Sequence, residues 1–548
     1  MTKTTTMLAV AGIAVGSLVA YAVYFDYKRR TDANFRKQLR KDKKRVAKNQ
    51  ASSEASASSS GVDVDELKHA LETVRQEEVP TTPEEKEKYF MAQVGMGEQL
   101  CAKGPTFNLA AALCFYRALR VYPSPVELIV IYERTVPPPV FQIVMQLTNM
   151  DVKERVEGYY DCFPPKAMNV AVKTIEVPVK DQPEAFTKKK ILVCTKDIEA
   201  GELIYKEEAI VTALDSDLQG KGTHCNHCLR SLDPSNAVRP ESDRLDSAYC
   251  STECLDKAKT HSQSLLFSLD SPLPALLAPA IPPAARAARD EAQQAFADYL
   301  KKHGKAAPQL VARFIARQVS AETAKMIPPG LSGMKGAEPV LTDGGDYTLY
   351  DHLERLRYLD VTPSEEETKI LREVLQHALP GLEQFVTEER HATYLGGMSY
   401  NAFGVYFGEG RDDKPEPTER PEDVEKSRTP LGTQKQVGVG FYAVSSYLNH
   451  SCMPSARPSF DEGTAGLHLI ANRPLKAGDE VTVAYVDVTQ KEGESVDESR
   501  RRRRIELVRG WRFACTCERC AQESNGIDEE SAKDESKVSD AVKRVEGA

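Results

Sequence analysis

Residues 447–454 read Tyr447-Leu448-Asn449-His450-Ser451-Cys452-Met453-Pro454, which sets a carboxamide, an imidazole and a thiol within four positions. No other stretch concentrates as much chemistry. Downstream lie Gly478-Asp479-Glu480-Val481-Thr482-Val483-Ala484-Tyr485 and Trp511-x-Phe513-x-Cys515-x-Cys517-x2-Cys520, and from Lys190 onward short apolar segments alternate with polar ones. Twelve cysteines in 548 residues are too few for a disulfide-dense secreted scaffold, and eight of them fall into two tight clusters. That spacing points to metal in a reducing compartment, not to cross-links. Upstream, Cys225-x2-Cys228 and Cys250-x3-Cys254 supply four thiolates in two pairs, the ligand set of a closed tetrahedral zinc site. His224, His227 and His261 lie nearby as alternative ligands. The length predicts two to four domains. Lys+Arg 72 against Asp+Glu 81 gives a formal net charge of -9, which argues against nucleic acid as a partner.

Together these motifs resemble the SET lysine methyltransferases, in particular the SET-MYND group. Asp197 to Tyr205 (DIEAGELIY) and Asn401-Ala402-Phe403 match other parts of that pattern. The resemblance implies a mixed α+β, β-rich SET domain over 186–525, a MYND-like zinc finger inserted at 222–262 and a post-SET segment at 511–522. The finger is only half present: its middle cysteine pair is missing from Ser231–Val238, and Leu265 stands where a last cysteine would fall. One zinc is expected there. The family further implies that Cys452 joins Cys515, Cys517 and Cys520 around a second structural zinc. It assigns Asn401, Asn449 and His450 to S-adenosylmethionine, Phe513 to the neighbourhood of the adenine, and Tyr485 to the hydroxyl that orients a lysine amine. Two departures bear on activity. Lys189-Lys190-Ile191 stands where the family has G-x-G, and Trp511 stands in place of a second channel tyrosine. Two readings stay open: an active protein-lysine methyltransferase, or a SET scaffold kept for peptide binding or folding.

The other end of the chain has a different character. Met7 to Phe25 is nineteen residues without a charge, about the length of a membrane-crossing helix, and a dense basic block follows from Lys28 to Arg45. By the positive-inside rule this keeps the bulk of the chain in the cytosol. Residues 1–30 are therefore expected to be a single-pass anchor, with Gly12 and Gly16 as a small-residue packing motif. Residues 31–61 read as a basic segment and a Ser/Ala-rich linker. Residues 62–179 read as all-helical, punctuated by Pro80, Pro83, Gly104-Pro105, Pro123, Pro125 and Pro137-Pro138-Pro139. Ala111, Phe115, Ala118, Leu119, Val121 and Pro123 follow the second helix of a tetratricopeptide (TPR) repeat, with Gly97 and Leu100 on the first.

This order of parts, with EEKEKYFMAQVGMGEQLCAKG and ERTVPPPVFQIVMQL, resembles the presequence receptor subunit of the mitochondrial outer-membrane translocase. The likeness covers residues 1 to about 175. It implies a groove for the apolar face of a basic amphipathic helix, using Phe90, Met91, Val94, Leu128, Ile131 and Tyr132, with Glu127 on the polar rim. Each of these apolar residues also reads as ordinary core. Implied partners are mitochondrial presequences, other translocase subunits and the outer membrane, besides a protein lysine substrate for the SET domain.

The chain is thus expected to be multidomain: one transmembrane helix, an all-α TPR-like receptor domain, then the SET domain with its finger. Glu409–Gln436 reads as a charged mobile insertion, and 526–548 as a disordered tail. The leading functional reading is an import receptor fused to a SET domain. The alternative is a membrane-tethered lysine methyltransferase whose helical domain recruits substrates.

Overall fold

Proline and glycine set the helix ends in the first unit. The computed structural model describes residues 64–526 apart from 272–281, 326–340 and short gaps at 78, 81–82, 123–124, 180–181, 346, 380–381, 418–419 and 422. The expected anchor, linker and tail lie outside the described residues, among which no helix is long and apolar enough to cross a membrane. Five helices follow one another: α1 Val64–Gln76, α2 Pro83–Cys101, α3 Asn108–Val121, α4 Pro125–Thr135 and α5 Pro138–Glu157. Three of them begin at a proline, whose missing N–H costs nothing in a first helical turn.

Burial covers most of α3, and Ala111, Phe115, Ala118 and Leu119, at three-to-four spacing, form one of its faces. That face packs on α2. A Cβ at Gly97 would stand 3.0 Å from two atoms of the Phe115 ring, so the close approach of the two helices requires glycine there. The Phe115 ring also meets Tyr132 of α4 edge-on, at 5.1 Å between centroids. Ion pairs from Arg75 to Asp151 and from Arg117 to Glu77 tie α1 and its following turn to α5 and α3.

The helical region ends earlier than the sequence reading placed it. Residues 170–179 are not helix but strand β1 (Val170–Val179), paired antiparallel with β2 (Gln182–Cys194) from Val170↔Cys194 onward. Five β-branched residues between Val170 and Val177 favour the extended state, a signal the helical reading passed over. The first unit accordingly closes at Tyr159, and residues from Tyr160 belong with the second unit.

In that second unit the strands are short: β3 Leu203–Glu207, β4 Val211–Leu214, β5 Phe403–Val405, β6 Gly438–Phe441, β7 Asn449–His450, β8 Ala456–Ser459, β9 Leu467–Ala471 and β10 Thr482–Val483. Sheets run β4-β6-β5 and β3-β9-β8, while β7 and β10 pair in parallel. Its described helices of seven residues or more are α6 Thr252–Ala258, α7 Pro283–His303, α8 Ala307–Lys325, α9 Glu365–Ala378, α10 Glu388–Asn401 and α11 Val496–Trp511. Two crossings matter for the site. Val481 donates its N–H to Leu192 O and Cys194 to Asp479 O, laying β2 beside Gly478–Val481. The parallel β7–β10 pair then brings Asn449 and His450 to the same place.

Candidate active site and metal centres

The half-finger forms first from its ligands. Cys225, Cys228, Cys250 and Cys254 hold their sulfurs within 4.8 Å of one another, with Cys228–Cys250 at 3.7 Å and Cys250–Cys254 at 3.4 Å. Zn–S bonds of about 2.3 Å at tetrahedral angles place sulfurs about 3.8 Å apart, so the four thiols fit one zinc ion. None is in a disulfide. His224, His227 and His261 stay outside the set, and burial holds His227 down at about 4. Tyr249 and Ala258 complete a small core around the cysteines.

The second set is Cys452, Cys515, Cys517 and Cys520, again within 4.8 Å, with Cys452–Cys520 at 3.5 Å and Cys452–Cys515 at 3.9 Å. Its surroundings are arginine-rich. Arg500 Nε donates to Cys520 O at 2.8 Å and Arg519 Nη1 to Cys452 O at 3.2 Å. Arg503, fully buried, bonds Ser499 Oγ and Glu523. The run Arg500 to Arg504, unremarked in the sequence reading, is therefore partly an internal scaffold for this centre.

From the metal set a chain of contacts leads to Tyr485. His450 Nδ1 accepts the backbone N–H of Tyr485 at 3.0 Å, which leaves the proton on Nε2, 3.3 Å from Cys452 Sγ. Burial depresses this imidazole to about 4, so it is neutral. Its ring stands 5.5 Å from Tyr485 and 6.2 Å from Phe513. Trp511 closes the other side of Tyr485 at 5.3 Å and donates its indole N–H to Tyr400 O. A left-handed turn at Arg512 ends α11 and swings Phe513 round beside His450. Glu207, another residue the sequence reading missed, accepts from the N–H groups of Val444 and Ser445 and from Ser445 Oγ, holding the turn before Tyr447. Burial pushes its carboxyl up to about 7.

Tyr485 is 3% exposed, and its hydroxyl donates to Leu448 O at 2.5 Å. Against its ring, 4.4 Å from the centroid, lies the guanidinium of Arg428. This arginine is 1% exposed and also faces Tyr400 and Phe403 at 5.3 and 5.5 Å. It donates to the carbonyls of Tyr400 at 3.0 Å, Ser446 at 3.1 Å and Leu448 at 3.4 Å, and to Asn401 Oδ1 at 2.7 Å. The expectation of a mobile insertion is corrected here, since Ser427, Arg428 and Thr429 are all buried.

Asn401 is a second correction. Its Nδ2 bonds Arg357 O and Gly397 O, its Oδ1 takes Arg428, and it is fully buried. A carboxamide has two donor hydrogens, both spent, so Asn401 secures Arg428 and the end of α10 and has no N–H left for a cofactor. Asn449 Nδ2 bonds Lys190 O at 3.3 Å and Glu480 at 3.0 Å, which places Lys189-Lys190-Ile191 beside it. Lys190 in turn lies over the Tyr160 ring, 4.5 Å from its centroid.

In the helical unit the seven groove residues divide. Val94, Leu128, Ile131 and Tyr132 are between 0 and 3% exposed and join one core cluster, against which the partly buried Phe90 packs. Met91 is partly exposed, and the side chain of Glu127 lies outside the described residues. For the four buried residues the structure gives core positions, not an open face, because α1 and α3 to α5 share that cluster with them.

Residues 8–161 match the MAS20 protein import receptor family and residues 189–486 the SET domain family, the latter more than half of the chain. The mitochondrial import receptor subunit tom20 of Neurospora crassa is 41% identical over 157 residues, 29% of this chain and 84% of that protein. TOM20 of Saccharomyces cerevisiae is 37% identical over 137 residues, 24% of this chain and 72% of that protein. Protein-lysine N-trimethyltransferase SMYD5 of Homo sapiens is 35% identical over 88 residues, 16% of this chain. The match spans only 20% of that methyltransferase. With a MAS20 receptor region ahead of a SET region carrying two four-cysteine centres, the chain belongs to both the MAS20 import receptor family and the SET domain family.

Proposed function

We propose that this protein is a presequence receptor of the mitochondrial outer membrane whose SET unit transfers methyl groups to protein lysines. The receptor half rests on identity across most of two fungal import receptors. Residues 7–25 would anchor it, and partly exposed Phe90 and Met91 would meet the apolar face of a presequence helix above the buried layer of Val94, Leu128, Ile131 and Tyr132. Deleting residues 1–30 should release the chain from mitochondria. Retention after alkaline extraction would contradict the anchor.

The enzymatic half is carried by one observation: a tyrosine hydroxyl, a set of backbone carbonyls and aromatic rings converge around one buried cation, the guanidinium of Arg428. A lysine amine held there would meet Tyr485, Leu448 O and Ser446 O, which can orient it and exclude water. When bound, S-adenosylmethionine supplies the electrophilic methyl. Of the residues assigned to it by resemblance, Phe513 stands at the site's edge and fits such a role, Asn401 does not, and Asn449, whose two amide hydrogens already go to Lys190 O and Glu480, would meet it only through its oxygen or main chain. Tyr485→Phe should import precursors at the wild-type rate yet lose methyl transfer about a hundredfold, the usual effect of a misoriented reactant. Undiminished transfer would remove Tyr485 from the mechanism. Failed import with intact peptide binding would favour the reading in which the helical unit recruits substrates for the enzyme.

A further inference from the structure

The pocket beside Tyr485 is filled by the chain itself. Ser427-Arg428-Thr429, from the insertion joining β5 to β6, is held by main-chain bonds on both sides, with one parallel bridge from Arg428 to Phe403. Arg428 N–H donates to Ala402 O at 2.8 Å, Gly404 N–H to Arg428 O at 3.0 Å, and Thr429 N–H to Tyr485 O at 3.2 Å. Main-chain pairing on both sides is how an extended peptide is taken up by a sheet edge. Side chains alternate in such a strand. Ser427 Oγ and Thr429 Cβ both point at Gly404, each 3.1 Å from where a Cβ would stand, and Arg428 projects the other way into the rings.

The chemistry of the pocket is that of a cation receptor without an anion. Three aromatic faces and the carbonyls of Tyr400, Ser446 and Leu448 surround the guanidinium, with no carboxylate among its described partners. An isolated buried cation is costly, so the pocket must be shaped for one. A substrate lysine presents the same charge on a similar stem. Arginine, however, keeps its proton and offers no free amine, so it can occupy the pocket without reacting.

We propose that residues 427–429 are an internal pseudosubstrate: they close the acceptor pocket, and they display the substrate class, an extended segment with lysine in place of Arg428 between small residues. The packing on Gly404 sets the flanking requirement, because a bulky residue at either neighbour would meet that strand. Anchors beyond the pocket hold the segment in place. Glu425 accepts the N–H groups of Ala306 and Ala307, both at 2.8 Å, at the start of α8, and Gln436 bonds both Ser427 and Asp215. This inference rests on the reading of Tyr485 as the acceptor-side hydroxyl.

The test uses the full chain with S-adenosylmethionine and a synthetic peptide copying residues 423–433 with the change Arg428→Lys. Wild type should methylate the peptide slowly, and Glu425→Ala, which loosens the anchor outside the pocket, should raise the rate by up to about tenfold if the closed form holds nine-tenths of the molecules. Arg428→Lys in the chain itself should acquire methyl groups at position 428, seen by mass spectrometry and lost when Tyr485→Phe is added. A peptide with Phe at the Ser427 position should be a poor substrate. Equal rates in wild type and Glu425→Ala, together with an unmodified Lys variant that still binds the cofactor by calorimetry, would overturn the pseudosubstrate. Absence of cofactor binding in every folded form would instead overturn the methyltransferase reading, and the inference with it.

Discussion

Replacing Cys517 by serine is expected to halve the zinc content of the chain, from two ions to one, and to free the segment from Trp511 to Cys520. The four sulfurs of that centre come from two places far apart in sequence, Cys452 on one side and Cys515, Cys517 and Cys520 on the other. Metal binding there is therefore also the closing of a long loop. Apparent binding energies of structural zinc are on the order of 10 kcal/mol, more than the hydrogen bonds of Arg500 and Arg519 can replace. The loss should reach the Tyr485 pocket, because His450 bridges Cys452 Sγ to the Tyr485 backbone and Phe513 leans on His450. Cys228→Ser should remove the other zinc and leave that pocket intact. Elemental analysis with limited proteolysis checks both. One zinc in wild type, or a Cys517→Ser chain that keeps two, would dismiss the second centre. Cys114 and Cys194 lie outside both sets, and burial raises both thiols, Cys194 to about 11, so they should resist labelling.

What the sequence made legible were features whose partners lie close along the chain or whose chemistry repeats. Cysteine pairs two to four residues apart announced both cysteine clusters, apart from Cys452, which joins the second from 63 positions before Cys515. Proline and glycine announced the helix ends of the receptor unit. Illegible were contacts assembled across long separations. Arg428 sits in a charged, proline-containing stretch that reads as solvated, and its burial depends on rings from Tyr400, Phe403 and Tyr485 that only the fold gathers. Asn401 was read from its motif as a ligand-facing amide, but the arginine that claims its oxygen is 27 positions away. The arginine run at 500–504 misleads in the same way, since charge in sequence says nothing of which guanidinium will find a carbonyl inside. The groove residues were ambiguous for another reason. An apolar residue on a short helix satisfies a core and a binding face equally well by composition, and only the neighbouring helices decide between them.

That decision leads to the second large effect, on Leu128→Ser with Ile131→Ser. As a pair on one face of α4 they would suit removal of ligand affinity with the fold preserved, yet both are 2% exposed in a cluster that includes Phe115, Leu119, Ile143 and Val144. Truncating one buried Leu or Ile to Ala costs about 2–5 kcal/mol, and a buried serine hydroxyl adds the cost of an unmet hydrogen bond. Two such losses approach the whole stability of a small domain, about 5–15 kcal/mol. The double variant should therefore unfold the receptor unit, seen as a lost helical transition in circular dichroism of the full chain. Met91→Ser, at a partly exposed position, should keep that transition and weaken only the binding of a presequence peptide. If the double variant melts like wild type and merely stops binding, Leu128 and Ile131 face the ligand after all, and α4 must turn its apolar side outward when a presequence arrives.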